Sequence, residues 1–96
     1  IVCGNIKCDK VSRQVYLNGE LVMLNVKEYS LLLYLMENQG KVLSKEELFG
    51  KIWGFDSDSE IQTLTVHMNR LRDKLEEDPK KPEHFITVWG VGYRFE

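Results

Sequence analysis

The sequence contains few of the residues that mark specialised classes of protein. It has only two cysteines, Cys3 and Cys8, too few for a structural zinc site. Their spacing places them on opposite faces of one strand, so reduced thiols and a cytoplasmic location are expected. No run of about 18 apolar residues is present, so neither a membrane-spanning segment nor a membrane partner is expected.

The sequence also lacks an excess of basic residues. Thirteen Lys and Arg against 15 Asp and Glu give a net charge of −2, which argues against a protein that binds nucleic acids or anionic membranes through charge alone. Positive charge is nevertheless concentrated between Gln62 and Leu75, where three basic residues accompany one acid. The length predicts one domain, residues 1–96, and the start at Ile1 favours an excised piece of a longer, soluble protein.

Turn residues and apolar alternation predict strands at both ends of the chain. Asn18-Gly19 separates two short apolar runs, the pattern of a two-residue β-hairpin. Together with the apolar run around Ile6, it predicts a small antiparallel sheet with Val15 and Leu17 on the inner face. Residues 85–96 are rich in β-branched and aromatic residues around a Gly-Val-Gly turn, and they predict a second hairpin.

Three polar residues are placed to cap helices. Asn25, Ser44 and Ser59 are each followed, three residues later, by Glu or Gln, the arrangement of a capping box. The third helix is expected to run from about residue 59 to residue 75. Three helices followed by a hairpin are typical of a winged helix-turn-helix, although other all-helical and α+β domains share this order. The expected core stripes contain Val26, Tyr29, Leu33 and Met36 in the first helix and Ile61, Leu64, Met68, Leu71 and Leu75 in the third.

Two residues of the third helix point away from its apolar stripe. Val66 and Arg70 lie one turn apart on the side expected to face water. A helix fits the major groove of B-DNA, where an arginine binds guanine through two hydrogen bonds and an aliphatic group contacts the thymine methyl. Thr63 and Asn69 flank this face and are suited to bind phosphate oxygens, with His67 further round. An ordinary solvated surface is also compatible with this pattern, because single exposed apolar residues are common.

Four stretches, in this order and at this spacing, carry a resemblance to a known family. They are LNVKEYSLLLYLMENQGKVLSKEEL, IWG, TLTVHMNRLRDKL and ITVWGVGYRFE. Together they resemble the C-terminal effector domain of OmpR/PhoB-type two-component response regulators of bacteria. The resemblance implies an α+β winged helix-turn-helix with an N-terminal antiparallel four-stranded sheet, three helices and a C-terminal β-hairpin wing. It further implies regulation of transcription by sequence-specific binding to double-stranded DNA, with the helix at 59–75 in the major groove and hairpin 85–96 as the wing.

The resemblance also assigns roles to individual residues. Arg70 matches the family's base-contacting arginine, and Val66 matches its apolar contact to thymine. Trp89 lies where many members place an arginine that reaches the minor groove, and the wing is expected to pack either on the sugar–phosphate backbone or against the third helix. Gln62, Asn69 and Asp73 stand where basic residues are common, so one domain should bind weakly. Positions that usually touch the DNA backbone are occupied by Trp53, His67, Arg72, Thr87 and Tyr93.

The expected partners also follow from the family. Members usually bind direct repeats as head-to-tail pairs, so the domain is expected to be a monomer when isolated and a dimer on DNA, controlled by a receiver domain outside this chain. The acidic loop 54–59 matches a segment that can touch RNA polymerase. The alternative is a protein-interaction module without DNA, favoured by the pI of 5.7. No nucleophile elbow, phosphate-binding loop or metal-spaced cluster is present, so no enzyme, cofactor or metal site is expected.

Overall fold

The computed structural model describes residues 1–54 and 58–96 of the chain. An N-terminal sheet precedes three helices, and a second sheet follows them. This is the order of elements that the sequence predicts. The helices are α1 (Val26–Glu37), α2 (Lys45–Ile52) and α3 (Gln62–Leu75). The strands are β1 (Val2–Cys3), β2 (Ile6–Asp9), β3 (Gln14–Leu17), β4 (Glu20–Val22), β5 (Val42–Ser44), β6 (Phe85–Val88) and β7 (Gly92–Phe95).

The N-terminal sheet is antiparallel, with the strand order β1-β2-β3-β4. Asn18 and Gly19 connect β3 to β4, and their φ angles are 52° and 83°. Two positive φ angles are what a two-residue turn of type I′ requires, so the predicted hairpin is confirmed. Val15 is buried and Leu17 packs against the core, so the inner face is also the predicted one.

The two cysteines lie on neighbouring strands. Gly4, with a φ of 59°, lies in the turn where the chain reverses between β1 and β2. Cys3 and Cys8 are both free thiols buried in the core, and burial raises the pKa of the Cys3 thiol. The prediction that they occupy opposite faces of a single strand was wrong, because the five-residue spacing includes a turn.

A capping box starts α1, as predicted. Oδ1 of Asn25 accepts a hydrogen bond from the N–H of Glu28 at 2.8 Å, and Oε1 of Glu28 accepts one from the N–H of Asn25 at 3.0 Å. These bonds satisfy backbone N–H groups that the start of a helix leaves unpaired. Val26 is 74% exposed and was wrongly assigned to the core stripe, because burial along α1 begins only at Glu28.

The second sheet joins the C-terminal hairpin to the short strand before α2. Its order is β5-β7-β6, so the hairpin predicted at 85–96 is confirmed and gains a third strand. Oγ of Ser44 accepts from the N–H of Glu47 at 3.0 Å and caps α2, as predicted. At Gly92, where β7 passes β5, an added Cβ would overlap the carbonyl oxygen of Leu43. The close approach of the two strands therefore requires glycine.

The third helix, α3, begins later than the sequence suggested. Its cap position is held by Ile61, whose backbone is already helical, and no side-chain hydrogen bond from the described residues caps it. The N–H groups of Thr63 and Leu64 donate to the carbonyl oxygens of Glu60 and Ile61 at 2.9 and 3.0 Å. These two bonds form a tight backbone turn that opens the helix. The predictions of a Ser59 cap and of a helix from residue 59 were therefore wrong.

Most of the predicted core stripe of α3 is buried. Leu64, Met68, Leu71 and Leu75 lie in the core, whereas Ile61 is 37% exposed because it precedes the helix. α3 packs on α1 and α2, and α1 also contacts β7, so the helices and both sheets share one core. Among the described residues, no helix is long and apolar enough to cross a membrane.

Candidate nucleic-acid interface

Val66 and Arg70 lie on the outer face of α3, on the side away from its buried leucines. Val66 is 46% exposed, and Arg70 is exposed one turn later. Within residues 1–54 and 58–96, no hydrogen bond, ion pair or ring contact engages the Arg70 guanidinium. The predicted orientation of both side chains is confirmed. This face presents an aliphatic group and a cation that the described part of the fold does not use.

A groove separates α3 from the wing, which consists of β6, β7 and the turn 89–91. Asn69 lines this groove together with two residues that the sequence analysis did not single out, Lys45 and Thr65. Lys45 reaches the groove because its backbone N–H donates to the carbonyl oxygen of Val91 at 3.3 Å. The start of α2 therefore lies against the wing. The sequence signalled Lys45 only by its place directly after a predicted helix cap.

The guanidinium of Arg72 is engaged inside the protein. Its Nε and Nη2 both donate to the carbonyl oxygen of Phe85, at 3.0 and 2.7 Å, and Nη2 also donates to Oγ1 of Thr87 at 2.7 Å. The guanidinium carbon lies 5.7 Å from the ring centroid of Tyr93, which is 5% exposed. Arg72, Thr87 and Tyr93, which the family resemblance assigned to the DNA backbone, therefore contact one another.

Trp53 and His67 pack together beside the outer face of α3. Their ring centroids are 5.0 Å apart with the planes at 80°, and Trp53 also stacks on Phe49 at 5.5 Å. Nδ1 of His67 lies 2.9 Å from the carbonyl oxygen of Thr63, and it must donate there because a carbonyl oxygen only accepts. In the neutral ring Nε2 is therefore an acceptor. Nε2 can donate a hydrogen bond to a phosphate only when His67 is protonated.

Trp89 lies at the tip of the wing and is 89% exposed. Gly90 beside it has a φ of 79°, a conformation that glycine adopts without strain and that allows the chain to turn from β6 into β7. The indole is open to solvent, whereas the base of the wing is bonded to α3 through Arg72. The indole presents a flat apolar face and an N–H donor to a ligand.

The C-terminal end of α3 is anchored to α1. Nζ of Lys74 lies 2.7 Å from Oε1 of the buried Glu28 and 3.0 Å from the carbonyl oxygen of Met23. Burial alone would raise the pKa of the Glu28 carboxyl, but hydrogen bonds from Lys74 and from the N–H of Asn25 hold that pKa below its usual value. Lys74 is therefore committed to the fold.

A second buried acid closes the connection between α3 and the wing. The carboxylate of Glu76 accepts hydrogen bonds from the backbone N–H groups of Glu83, His84 and Phe85, at 3.1, 2.9 and 2.9 Å. These groups would otherwise need other partners, because buried N–H groups are costly to leave unpaired. Glu76 therefore fixes the start of β6 relative to the end of α3.

The loop 54–59, predicted to touch RNA polymerase, lies partly outside the described residues, which do not include 55–57. In the remainder of the chain, no three His, Cys, Asp or Glu side chains form a group that could hold a metal ion. The candidate interface is therefore made by the outer face of α3, the start of α2 and the wing.

Comparison with known proteins gives a family for this arrangement. Residues 19–95 match the family of C-terminal domains of transcriptional regulatory proteins. The chain is also 45% identical, over 93 residues, to the sensory transduction protein RegX3 of Mycolicibacterium smegmatis. That alignment covers 97% of this chain but 41% of RegX3, so the chain spans about two fifths of the relative's length.

Solved structures show the same fold. Response regulator DrrB of Thermotoga maritima, an OmpR/PhoB homolog, matches 99% of this chain and 43% of its own with a TM-score of 0.91 and 35% identity. The RstA DNA-binding domain of Klebsiella pneumoniae, in complex with the RstA box, matches 99% of this chain and 94% of its own with a TM-score of 0.89 and 32% identity. The chain therefore belongs to the winged-helix C-terminal effector domains of OmpR/PhoB-family bacterial response regulators. This family regulates transcription and is not a class of enzymes.

Proposed function

We propose that this domain, residues 1–96, binds double-stranded DNA in a sequence-specific manner as the effector of a transcriptional response regulator. In this proposal α3 lies in the major groove and the wing contacts the adjacent backbone. The observation that carries the proposal is the outer face of α3, where Val66 and Arg70 are exposed and Arg70 has no partner in the described part of the chain. The similarity to the RstA domain, solved with the RstA box, supports it.

Val66 and Arg70 supply the two kinds of contact that distinguish bases. The guanidinium of Arg70 can donate two hydrogen bonds to O6 and N7 of guanine, and the methyl groups of Val66 can pack on a thymine methyl. The two residues are separated by about one helical pitch, roughly 5.4 Å, so they reach neighbouring base pairs. We assign base recognition to this pair.

The residues around that face are assigned to the sugar–phosphate backbone. Lys45 contributes a positive charge from α2, and Asn69 contributes amide donors from α3. The wing contributes the exposed indole of Trp89. Few of these groups are charged, so few counterions are released on binding and a single domain binds weakly. The assigned backbone contacts are Trp53, Thr63, His67, Asn69, Arg72, Thr87 and Tyr93, to which we add Lys45 and Trp89.

Selection from random duplexes with this domain, followed by affinity measurements at several salt concentrations, tests the proposal. A log–log slope of about −3 to −5 is expected for about four to six phosphate contacts. A shuffled duplex of the same base composition is the matched control and should bind more weakly, by about the 1 to 3 kcal/mol that a two-bond arginine–guanine contact contributes to base discrimination. A flat slope, with equal retention of both duplexes, would contradict DNA recognition and favour a protein-interaction module.

The longer protein is the proper unit for the remaining assignments, because the chain spans 41% of RegX3. We propose a cytoplasmic regulator whose receiver domain controls head-to-tail dimer formation on direct repeats and whose loop 54–59 touches RNA polymerase. The isolated domain is then a monomer. Sedimentation should show one domain per particle without DNA and two on a direct-repeat duplex, and a stable dimer without DNA would contradict this arrangement.

A further inference from the structure

We propose that His67 binds a phosphate of the DNA backbone only as the imidazolium, so that DNA binding by this domain takes up a proton. The inference rests on the proposed DNA binding and concerns how that binding responds to pH. Nδ1 of the ring lies 2.9 Å from the carbonyl oxygen of Thr63, one turn earlier in α3. Because a carbonyl oxygen only accepts, Nδ1 carries a proton whether the ring is neutral or charged.

A second contact, from the end of α2, fixes the plane of the ring. The ring centroid of His67 lies 5.0 Å from that of Trp53 with the planes at 80°, an arrangement that aromatic rings favour. A half-turn of the imidazole would keep this packing but lose the bond to Thr63, because it would place a carbon at the position of Nδ1. The direction of Nε2 is therefore set by Thr63 and Trp53 together.

Nε2 is the ring nitrogen that remains for a ligand. In the described part of the chain no hydrogen bond engages it, and the His67 side chain is only partly buried. In the neutral ring Nε2 is an acceptor, and a phosphate oxygen is an acceptor as well, so no hydrogen bond joins them. A proton taken from solvent turns Nε2 into a charged donor, which makes a strong hydrogen bond to phosphate.

The charged groups around His67 do not supply this interaction in the absence of DNA. From α1, the carboxylate of Glu28 interacts electrostatically with His67, but it is already paired at 2.7 Å with Nζ of Lys74 from α3. Lys27, also on α1, lies over the indole that packs on the imidazole, with Nζ 5.9 Å from the ring centroid. That uncharged indole is the contact from α2, and Arg70 on α3 is a further cation. The anion that favours the imidazolium is therefore the phosphate.

Affinity for the selected duplex, measured as a function of pH at constant ionic strength, tests the inference. Between about pH 5.5 and pH 7.5, where histidine changes charge, binding by the unmodified domain should weaken about tenfold as the pH rises. His67→Gln should bind equally at both ends of this range. His84→Gln is the matched control, since it removes the other histidine of the chain, and it should keep the full pH dependence. Parallel profiles of His67→Gln and the unmodified domain would overturn the inference.

Calorimetry of binding in buffers of different ionisation enthalpy measures the proton uptake directly. Near neutral pH the unmodified domain and His84→Gln should take up protons on binding, and His67→Gln should take up none. Glu28 does not contribute, since despite its burial the hydrogen bonds from Lys74 and from the N–H of Asn25 hold the pKa of its carboxyl below the usual value. Equal uptake by His67→Gln and the unmodified domain would contradict the assignment to His67.

The NMR shifts of the two imidazole nitrogens in the free domain provide a readout that needs neither DNA nor a variant. At alkaline pH they should identify the tautomer with its proton on Nδ1. A neutral ring protonated on Nε2 would overturn the inference, because Nε2 of His67 could then donate to phosphate without a charge. If the domain binds no duplex, the proposed function and this inference both fail, whereas specific binding with a flat pH profile refutes the inference alone.

Discussion

The two sides of α3 differ in how far the fold already uses their side chains. On the inner side Leu71 is buried, Lys74 is paired with Glu28, and Arg72 is bonded to the wing. On the outer side Arg70 has no partner within residues 1–54 and 58–96. Arg70 and Arg72 are two residues apart and carry the same charge. Availability to a ligand is therefore decided by the partners that the fold supplies and not by residue type.

Gly92→Ala should have the largest effect, because it disrupts the sheet that carries the wing. The added Cβ would overlap the carbonyl oxygen of Leu43, so β5 and β7 must separate, and a loss of about 3 kcal/mol of unfolding free energy is expected. Urea denaturation measures it. Asn69→Ala on the exposed side of α3 is the control and should not destabilise the domain, since alanine favours helix. Equal stabilities of the two variants would show that the contact of β5 with β7 is not tight.

Arg70→Ala should separate binding from folding on the open side. Loss of a two-bond contact to guanine should cost about 1 to 3 kcal/mol of binding free energy on the selected duplex and relax its base preference. The midpoint of thermal unfolding should stay unchanged, because no described group depends on this guanidinium. A fall in thermal stability with intact DNA binding would show that Arg70 stabilises the fold. The difference between Arg70 and Arg72 would then disappear.

Glu28→Gln tests how firmly the inner side of α3 is held. The folded-state pKa of Glu28 is lowered, so its stabilising effect is present above the pKa of the unfolded chain, about 4.3, and is lost as the pH falls through the folded value. The variant should lose about 1 to 2 kcal/mol at neutral pH and show a flatter stability profile in acid. Parallel acid profiles of the two proteins, measured by urea denaturation, would disprove the role of this ion pair.

Val66→Ala should give the smallest effect. The shortened side chain loses part of its contact with a thymine methyl, which should weaken discrimination at one position by less than about 1 kcal/mol. Phosphate contacts are unaffected, so the salt slope should match that of the unmodified domain. Competition between duplexes that carry thymine or uracil at the selected position provides the measurement, because uracil lacks the methyl group. Discrimination of the two duplexes that does not change in the variant would exclude Val66 as the reader of that base.

The parts of the fold that could be predicted are those whose cause lies within a few residues. Asn18-Gly19 accepts the φ angles of its turn, and Asn25 and Ser44 bond N–H groups only three positions away. The start of α3 could not be predicted in this way, since a backbone turn at Ile61 replaced the expected cap at Ser59. A serine that is able to cap a helix, such as Ser59, therefore does not by itself determine the residue at which the helix begins.

The same distinction separates the features of the candidate site that could be predicted from those that could not. The helical period was enough to orient Val66 and Arg70, because exposure follows from position relative to the core stripe. The internal bonding of Arg72 was not predictable, since Phe85 and Thr87 lie 13 and 15 residues further along the chain. Lys45 was missed for a related reason, because only the tertiary fold brings the start of α2 to the wing.

The carboxylate of Glu76 has a consequence for how such proteins can diverge. It accepts hydrogen bonds from three consecutive backbone N–H groups at the start of β6. The two ends of the connector between α3 and β6 are therefore held close together. Insertions, deletions and changes of composition between residues 77 and 82 can then accumulate while the helix and the hairpin keep their mutual geometry. A change in the length of that segment should therefore leave the spacing between α3 and the hairpin unaltered.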